Sequence, residues 1–196
     1  LVGIYIHIPF CRKKCHYCNF HFTTSLYYKD DLVRALTKEI SLQKDYLSNE
    51  KVETIYFGGG TPSLLNSEDV VLIVDEVRRF FQVTAGPEIT LETNPDDITE
   101  EKLIAWKEAG INRLSIGIQS FFEEDLQWMN RAHNAHQAKE SLVLAKKYYD
   151  NITVDLIYGT PGLTNEKWKQ NVETVIGLNI PHLSCYALTV EPKTPL

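Results

Sequence analysis

The sequence has little of what marks a membrane, secreted or nucleic-acid-binding protein. No apolar run approaches the length of a membrane span, and the first residues lack the charged, apolar and small-residue order of a signal peptide. The formal net charge is −6, from 20 basic and 26 acidic residues, whereas nucleic-acid-binding domains usually carry a basic stripe. We therefore expect a cytoplasmic protein with no integral membrane segment and no nucleic-acid partner.

Cysteine is also scarce, and three of the four cysteines lie close together, which is not the pattern of a disulfide framework. Cys11, Cys15 and Cys18 stand in Cys-x-x-x-Cys-x-x-Cys spacing at the end of an apolar segment, residues 3–10. Thiolates are soft ligands that suit iron–sulfur clusters. A four-iron cluster needs four ligands, so a loop with three cysteines leaves one iron open to a small molecule.

Other interpretations of these cysteines stay open at this point. They could bind zinc with His16 or His21 as a fourth ligand, form disulfides, or be buried thiols. Lys13 and Lys14 would partly offset the charge of a thiolate cluster, or would be solvated loop residues. The fourth cysteine, Cys185, lies far from the others in sequence and is expected to be a small buried strand residue.

Short apolar runs alternate with longer amphipathic ones along the whole chain. This order predicts βαβ units and a parallel sheet. A full TIM barrel takes about eight such units, so six units predict an α/β fold with a partial TIM-type (β/α)6 barrel. Ser25 and Thr99 are expected to cap helices, and Gly110 to end one. The predicted strands are 4–8, 54–57, 88–92, 113–117, 152–157 and 182–188; the predicted helices are 26–47, from 66 or 67 onwards, 99–110, 123–129, 135–149 and 165–176.

Unusual residues follow the predicted strands, at the edge where parallel α/β folds place their active sites. Three consecutive glycines, 58–60, would let a ligand approach the backbone closely, whereas a tight turn alone usually needs one. Glu92 is well placed to accept hydrogen bonds from ribose hydroxyls, and Gln119 brings an amide to the same edge. Asp155 is an acid in an apolar strand, which is costly to bury unless it is paired or faces a ligand. Arg131, taken alone, would be assigned to the surface.

Together these motifs resemble the radical S-adenosylmethionine (SAM) superfamily. Within it they resemble the branch that contains oxygen-independent coproporphyrinogen III oxidase and the related heme chaperones called HemW. The cysteine spacing alone specifies only the superfamily, whereas the ordered set, which covers essentially the whole chain, is more specific. That set is Tyr5-Ile6-His7-Ile8-Pro9-Phe10-Cys11, Gly58-Gly59-Gly60-Thr61-Pro62, Glu92-Thr93-Asn94-Pro95, Gly117-Ile118-Gln119-Ser120-Phe121 and Asp155-Leu156-Ile157-Tyr158-Gly159.

The resemblance implies a 4Fe–4S cluster and a bound SAM. The cluster's open iron would be chelated by the amino and carboxylate groups of SAM, and electron transfer from the cluster would cleave SAM to a 5′-deoxyadenosyl radical. The resemblance identifies no catalytic residue. It assigns the cluster ligands to Cys11, Cys15 and Cys18, the surroundings of the first SAM to Tyr5, Tyr17, Gly59, Gly60, Thr61 and Glu92, and those of a second SAM to Gln119, Arg131, Asp155 and Ala187.

One departure separates the two functions within this branch. The oxidase pattern has a further cysteine two positions after the third, whereas this sequence reads Cys18-Asn19-Phe20. Phe20 supplies no thiol, so the resemblance favours a heme chaperone that binds heme and transfers it to an acceptor protein. The alternative is the oxidase, which decarboxylates a porphyrin precursor in porphyrin biosynthesis and would make this chain an enzyme. Either function would use an electron donor of the flavodoxin or ferredoxin type.

The resemblance also implies a longer protein. Members of the chaperone branch continue well past the equivalent of Leu196, and their C-terminal part carries a histidine-containing motif implicated in heme binding. In this sequence only two residues, His133-Asn134, resemble part of that motif. We therefore expect residues 1–196 to be the radical SAM core domain of a longer chain, and heme to be a cofactor of that longer chain.

Overall fold

The computed structural model describes residues 2–48 and 50–196, and within them six strands form one parallel sheet. The strands lie side by side in chain order, each paired with the next. This is the predicted α/β fold, a partial (β/α)6 barrel. The strands are β1 (Val2–Ile8), β2 (Val52–Gly59), β3 (Val83–Thr93), β4 (Arg113–Gln119), β5 (Ile152–Tyr158) and β6 (His182–Ala187); the helices are α1 (Lys29–Leu42), α2 (Ser67–Phe80), α3 (Glu100–Glu108), α4 (Glu123–Trp128), α5 (Ala135–Ala145) and α6 (Asn165–Gly177).

The core lies between the sheet and the helices that follow its strands. Strand β4 is buried from Leu114 to its end, as expected of a parallel strand that is covered on both faces. Helix α2 contributes one apolar face at helical spacing, formed by Val70, Ile73, Val74 and Val77, all of them buried.

Local signals in the sequence explain several of the helix ends. Asn66 and Asp69 form a reciprocal capping box at the start of α2, where the sequence predicts a helix from residue 66 or 67. Thr99 caps α3 by accepting a hydrogen bond from the Lys102 amide at 3.3 Å. Gly110 follows α3 with a φ of +94°, which is the left-handed conformation typical of a glycine after a helix. The expected roles of Thr99 and Gly110 are confirmed.

The predicted start of the first helix is wrong. Helix α1 begins at Lys29, and its N-cap position is Tyr28 instead of Ser25. Ser25 takes part in a turn: its amide donates to Thr23 Oγ1 at 3.2 Å, and its hydroxyl accepts from the Tyr27 amide at 3.4 Å. Serine side chains that bond to nearby backbone favour turns and caps alike, so the sequence did not distinguish the two.

The expectation that Cys185 is buried is also wrong, because its side chain is exposed. Cys185 lies in β6, which has a pairing partner only in β5 among the described strands. Most residues of this edge strand are exposed or half-buried, unlike those of β4.

The carboxyl ends of the strands are in register, which brings their following loops to one edge of the sheet. Ile8 pairs with Gly59 at one end of that edge, and Tyr158 pairs with Ala187 at the other.

No helix in the described part of the chain is long and apolar enough to cross a membrane.

Candidate functional site

The three clustered cysteines lie on a loop that leaves the carboxyl end of β1. We call residues 11–22 the cysteine loop. Its base is closed by a parallel bridge between Phe10 and Thr23, in which the Cys11 amide donates to the Thr23 carbonyl at 3.0 Å. The Thr23 amide donates to the Pro9 carbonyl at 2.8 Å, so the two ends of the loop are held together. The loop therefore projects from β1 as a closed unit.

The far side of the cysteine loop is held by a segment that is more than 100 residues away in sequence. We call residues 128–131, which begin at the last residue of α4, the docking segment. The His16 amide donates to the Met129 carbonyl at 3.0 Å, and His16 Nδ1 donates to the Trp128 carbonyl at 2.8 Å. Asn130 Nδ2 donates to the Lys14 carbonyl at 2.7 Å. His16, considered above as a zinc ligand, thus contributes one ring nitrogen to loop docking.

A pocket of about 490 Å³ opens between the cysteine loop and the carboxyl edge of the sheet. It collects residues from the cysteine loop, from the ends of β2 to β6 and from the docking segment. Tyr5 is not one of the described residues that line this pocket. Its hydroxyl lies 3.2 Å from His7 Nδ1, and its ring stacks on that of Tyr56. The other candidate residues that line the pocket are Cys11, Cys15, Tyr17, Cys18, Gly59, Gly60, Thr61, Glu92, Gln119, Arg131, Asp155 and Ala187.

The donor set of this pocket suits a sulfur-ligated cluster. All four cysteines are free thiols, and Cys15 and Cys18 lie close enough to Cys11 to raise its pKa. Burial raises the pKa of Cys11 to about 11, against a hydrogen bond with Thr61 and the charge of Arg131, which lower it. Among the described residues, no group of three or more histidine, cysteine or acidic side chains is already arranged to hold a metal ion.

The three glycines at the end of β2, residues 58–60, which we call the glycine turn, are required by the packing of the backbone, and two of them also line the pocket. A Cβ on Gly60 would lie 2.6 Å from the Phe10 carbonyl oxygen, and one on Gly58 would lie 2.8 Å from the Tyr5 ring. Gly59 has a φ of +112°, which side-chain-bearing residues rarely adopt. Gly59 and Gly60 also line the pocket. Each of the three glycines thus meets its own steric limit, a packing requirement that the sequence argument about ligand approach did not include.

Glu92 faces the pocket from the end of β3 and has hydrogen bonds to both carboxylate oxygens. The Tyr56 hydroxyl donates to Oε1 at 2.7 Å, and the Gly59 amide donates to Oε2 at 3.2 Å. Burial raises the pKa of this carboxyl, and the two hydrogen bonds act in the opposite direction. These contacts fix the carboxylate at the mouth of the glycine turn, where it can accept further hydrogen bonds from a hydroxyl-bearing ligand.

Gln119 and Asp155 approach the pocket from β4 and β5. Gln119 is a buried non-glycine residue with a φ of +69°, a conformation that often marks functional sites. The Ser115 hydroxyl donates to Asp155 Oδ2 at 3.4 Å. Burial, and then the charge of Glu92, raise the pKa of Asp155 to about 6. Two acidic side chains in one pocket suit a ligand with a positive charge.

Arg131 is not the surface residue that its isolated place in the sequence indicates. Its guanidinium lies beside the cysteine loop, where NH1 donates to Cys15 Sγ at 3.3 Å and to the Tyr17 hydroxyl at 3.1 Å. NH2 donates to Asn94 Oδ1 at 2.6 Å and to the Gly117 carbonyl at 2.9 Å. The residue taken alone did not indicate this place, because three distant segments have to converge before these partners exist. The resemblance had assigned Arg131 to the surroundings of a second SAM.

Sequence reasoning also missed an ion pair between the half-exposed Arg12 and the buried Asp97, which anchors the start of the cysteine loop. Arg12 Nε donates to Asp97 Oδ1 at 2.9 Å, and the Ser63 hydroxyl donates to Asp97 Oδ2 at 2.8 Å. Lys102 Nζ lies 3.6 Å from the same carboxylate. The only signal in the sequence was the acidic pair at 96–97 after β3, which by itself would indicate a solvated turn.

Comparison with known proteins agrees with this geometry. The heme chaperone HemW of Escherichia coli (strain K12) is 38% identical over 196 residues, which are 98% of this chain and 52% of that protein. HemW of Bacillus subtilis (strain 168) is 37% identical over 193 residues, which are 97% of this chain and 51% of that protein. The chain thus spans about half the length of the curated relatives it matches.

A solved structure of a related enzyme has the same fold. It is that of coproporphyrinogen III oxidase (HemN) from Escherichia coli, described as a radical SAM enzyme. It matches with a TM-score of 0.87 and 31% sequence identity, over 97% of this chain and 44% of that chain.

The family profile of the Radical SAM superfamily matches residues 5–175. That span contains the cysteine loop, the glycine turn, Glu92 and the docking segment. Both the pocket at the carboxyl edge of the sheet and the matched profile lead to one conclusion: this chain belongs to the radical SAM superfamily.

Proposed function

We propose that this chain binds a 4Fe–4S cluster and SAM, and that it is the cluster-binding part of a heme chaperone. The observation that carries the first half is the convergence of Cys11, Cys15 and Cys18 on one pocket with the glycine turn and Glu92. In that pocket the three thiolates would ligate the cluster and leave one iron for SAM. When bound, such a cluster supplies single electrons to SAM.

The pocket supports SAM by the chemistry of its walls. The glycine turn at the end of β2 lets a ligand approach the backbone closely, and Glu92 can accept hydrogen bonds from ribose hydroxyls. Asp155 places a second acid in the same pocket, opposite in charge to a sulfonium or an ammonium group. The same pocket is also lined by Gln119, Arg131 and Ala187. We propose that these three residues and Asp155 would contact a second SAM.

Anaerobic reconstitution tests the cluster. The wild-type protein is expected to bind close to four irons and four sulfides per chain, with a visible absorption band. Cys15→Ala should abolish this band, whereas Cys185→Ala should keep it, because Cys185 lies on the exposed edge strand. Equal behaviour of the two variants, or zinc in the purified protein without iron and sulfide, would contradict the proposal.

The heme chaperone is favoured over the oxidase by Phe20 together with the HemW relatives. Phe20 lines the pocket with an exposed aromatic ring, where the oxidase pattern has a thiol. Because the chain covers only half of those relatives, the test uses the full-length protein. Heme titration is expected to give saturable Soret absorbance and transfer of heme to an apo-acceptor. Absence of saturable binding would exclude the chaperone.

The oxidase is a second candidate, supported by the structural match to HemN. An anaerobic assay with coproporphyrinogen III, SAM and a one-electron reductant separates the two functions. We expect a loaded cluster without formation of protoporphyrinogen. Product formation would instead assign the oxidase activity to this chain and would refute the argument from Phe20.

A further inference from the structure

Arg131 joins three segments that are distant in sequence. Its guanidinium contacts Cys15 and Tyr17 of the cysteine loop, Asn94 after β3 and the Gly117 carbonyl in β4, all within 3.3 Å. The Arg131 backbone carbonyl also accepts a hydrogen bond from Lys13 Nζ at 3.3 Å. Both the side chain and the backbone of Arg131 are therefore committed to the cysteine loop.

The donors of this arginine are nearly used up within the protein. A guanidinium has five N–H groups in a fixed plane. NH1 and NH2 each have two acceptors, which accounts for four of the five. The remaining donor, Nε, is buried and has no hydrogen-bond partner among the described residues. The contact of Arg131 to Cys15 is thus made within the protein, together with its other hydrogen bonds.

We propose that Arg131 is a positioning residue that orients Cys15 and raises the reduction potential of the cluster. This inference rests on the proposed cluster binding. A cluster gains one negative charge when it accepts one electron, and no covalent bond is formed or broken. A cation that donates an N–H to a ligating sulfur stabilises the more negative state. Removing that cation is therefore expected to make reduction less favourable.

Three variants separate charge from docking. Arg131→Gln removes both the charge and the forked contacts. Arg131→Lys keeps the charge but cannot reach Cys15, Tyr17 and the other acceptors together. The matched control is Arg113→Gln, since Arg113 is also partly buried but lies at the opposite end of β4, where it donates to Thr90 and Thr153. Circular dichroism of each variant establishes that it is folded.

The reduction potential of the reconstituted cluster, followed by electron paramagnetic resonance in a redox titration, is the first readout. For Arg131→Gln we expect the equilibrium for reduction to be about tenfold less favourable, a fall of about 59 mV for one electron. Arg131→Lys should fall by less, and Arg113→Gln should match the wild type.

The rate of iron release to a chelator is the second readout. Neighbours of metal ligands typically contribute about 10- to 100-fold to metal affinity, so both Arg131 variants should release iron at least about tenfold faster than Arg113→Gln. If Arg131→Gln does not fold, Arg131→Lys still tests iron release. If the folded Arg131 variants had the wild-type reduction potential and the wild-type rate of iron release, this inference would be overturned and the proposed function would stand. A wild-type protein that assembles no cluster would refute the proposed function and this inference with it.

Discussion

Gly59 has to satisfy two constraints at once. Its φ is +112°, and a Cβ built on it would lie 2.6 Å from the His7 ring. Gly59→Ala is therefore expected to lower the free energy of unfolding by about 1–3 kcal/mol, the usual range for a side chain held in a disfavoured backbone conformation. Urea denaturation followed by circular dichroism measures this change.

Gly86 provides the matched control for that prediction. It lies in β3, and no heavy atom of the described residues outside its immediate chain neighbours would come within 4 Å of an added Cβ. Gly86→Ala should leave stability within about 1 kcal/mol of wild type, because alanine reduces the freedom of the unfolded chain at little cost in the fold. Equal destabilisation by both substitutions would contradict the steric explanation for Gly59.

Asp155 is expected to make stability depend on pH. Burial raises its pKa to about 6 in the fold, from 3.8, so the folded state favours the protonated acid. The resulting stabilisation is present below pH 4 and is lost as the pH rises through about 6. In cluster-free protein, the stability of wild type relative to Asp155→Asn should fall by about 2 kcal/mol between pH 4 and pH 7. Parallel pH profiles in urea titrations would contradict this.

Some site residues could be predicted from their place in the sequence, and others could not. Glu92 and Asp155 follow or lie in predicted strands, and parallel strands bring such positions to one edge. Arg131 has no comparable signal, since its partners come from three segments whose meeting depends on the tertiary fold. The same holds for Asp97, which is buried and bonded to Arg12 and Ser63, two residues that are distant from it in sequence.

At the scale of secondary-structure elements, helix caps provide a direct test. Asn66 forms the capping box of α2, whereas Ser25 has no capping role in α1. Asn66→Ala is expected to lower the free energy of unfolding by about 1 kcal/mol, and Ser25→Ala by much less. Thermal or urea unfolding of the two variants makes the comparison. A larger loss for Ser25→Ala would show that its turn matters more than the cap of α2.

The order and type of the elements could be predicted, because each apolar run has the period of the element it forms. Their ends were less predictable. Strand β3 begins at Val83, five residues before the predicted start, and Gly86 and Pro87 lie in this first part. Both residues are unfavourable in strands, and the register between β2 and β3 shifts here, from Val52 paired with Val83 to Thr54 paired with Glu88.

At the scale of the whole molecule, the exposed edge strand predicts an uneven reactivity of the four thiols. Cys185 is exposed on β6, whereas the three thiols of the cysteine loop would be occupied by the cluster. In cluster-loaded native protein, a thiol reagent such as Ellman's should modify a single thiol per chain. Cys185→Ala should remove that reaction and keep the cluster absorption. A reactive thiol that persists in the native variant would contradict this assignment.

The docking of the cysteine loop has a consequence for how the protein is made. Arg131 follows Cys15 by 116 residues, and no hydrogen bond between them can form before that stretch has left the ribosome. At typical rates of synthesis this takes roughly 6 to 23 seconds. During that interval the nascent chain carries the three thiols of the cysteine loop without their contact to the docking segment. Iron delivery is therefore expected to be a late event in biosynthesis, after the fourth strand has emerged.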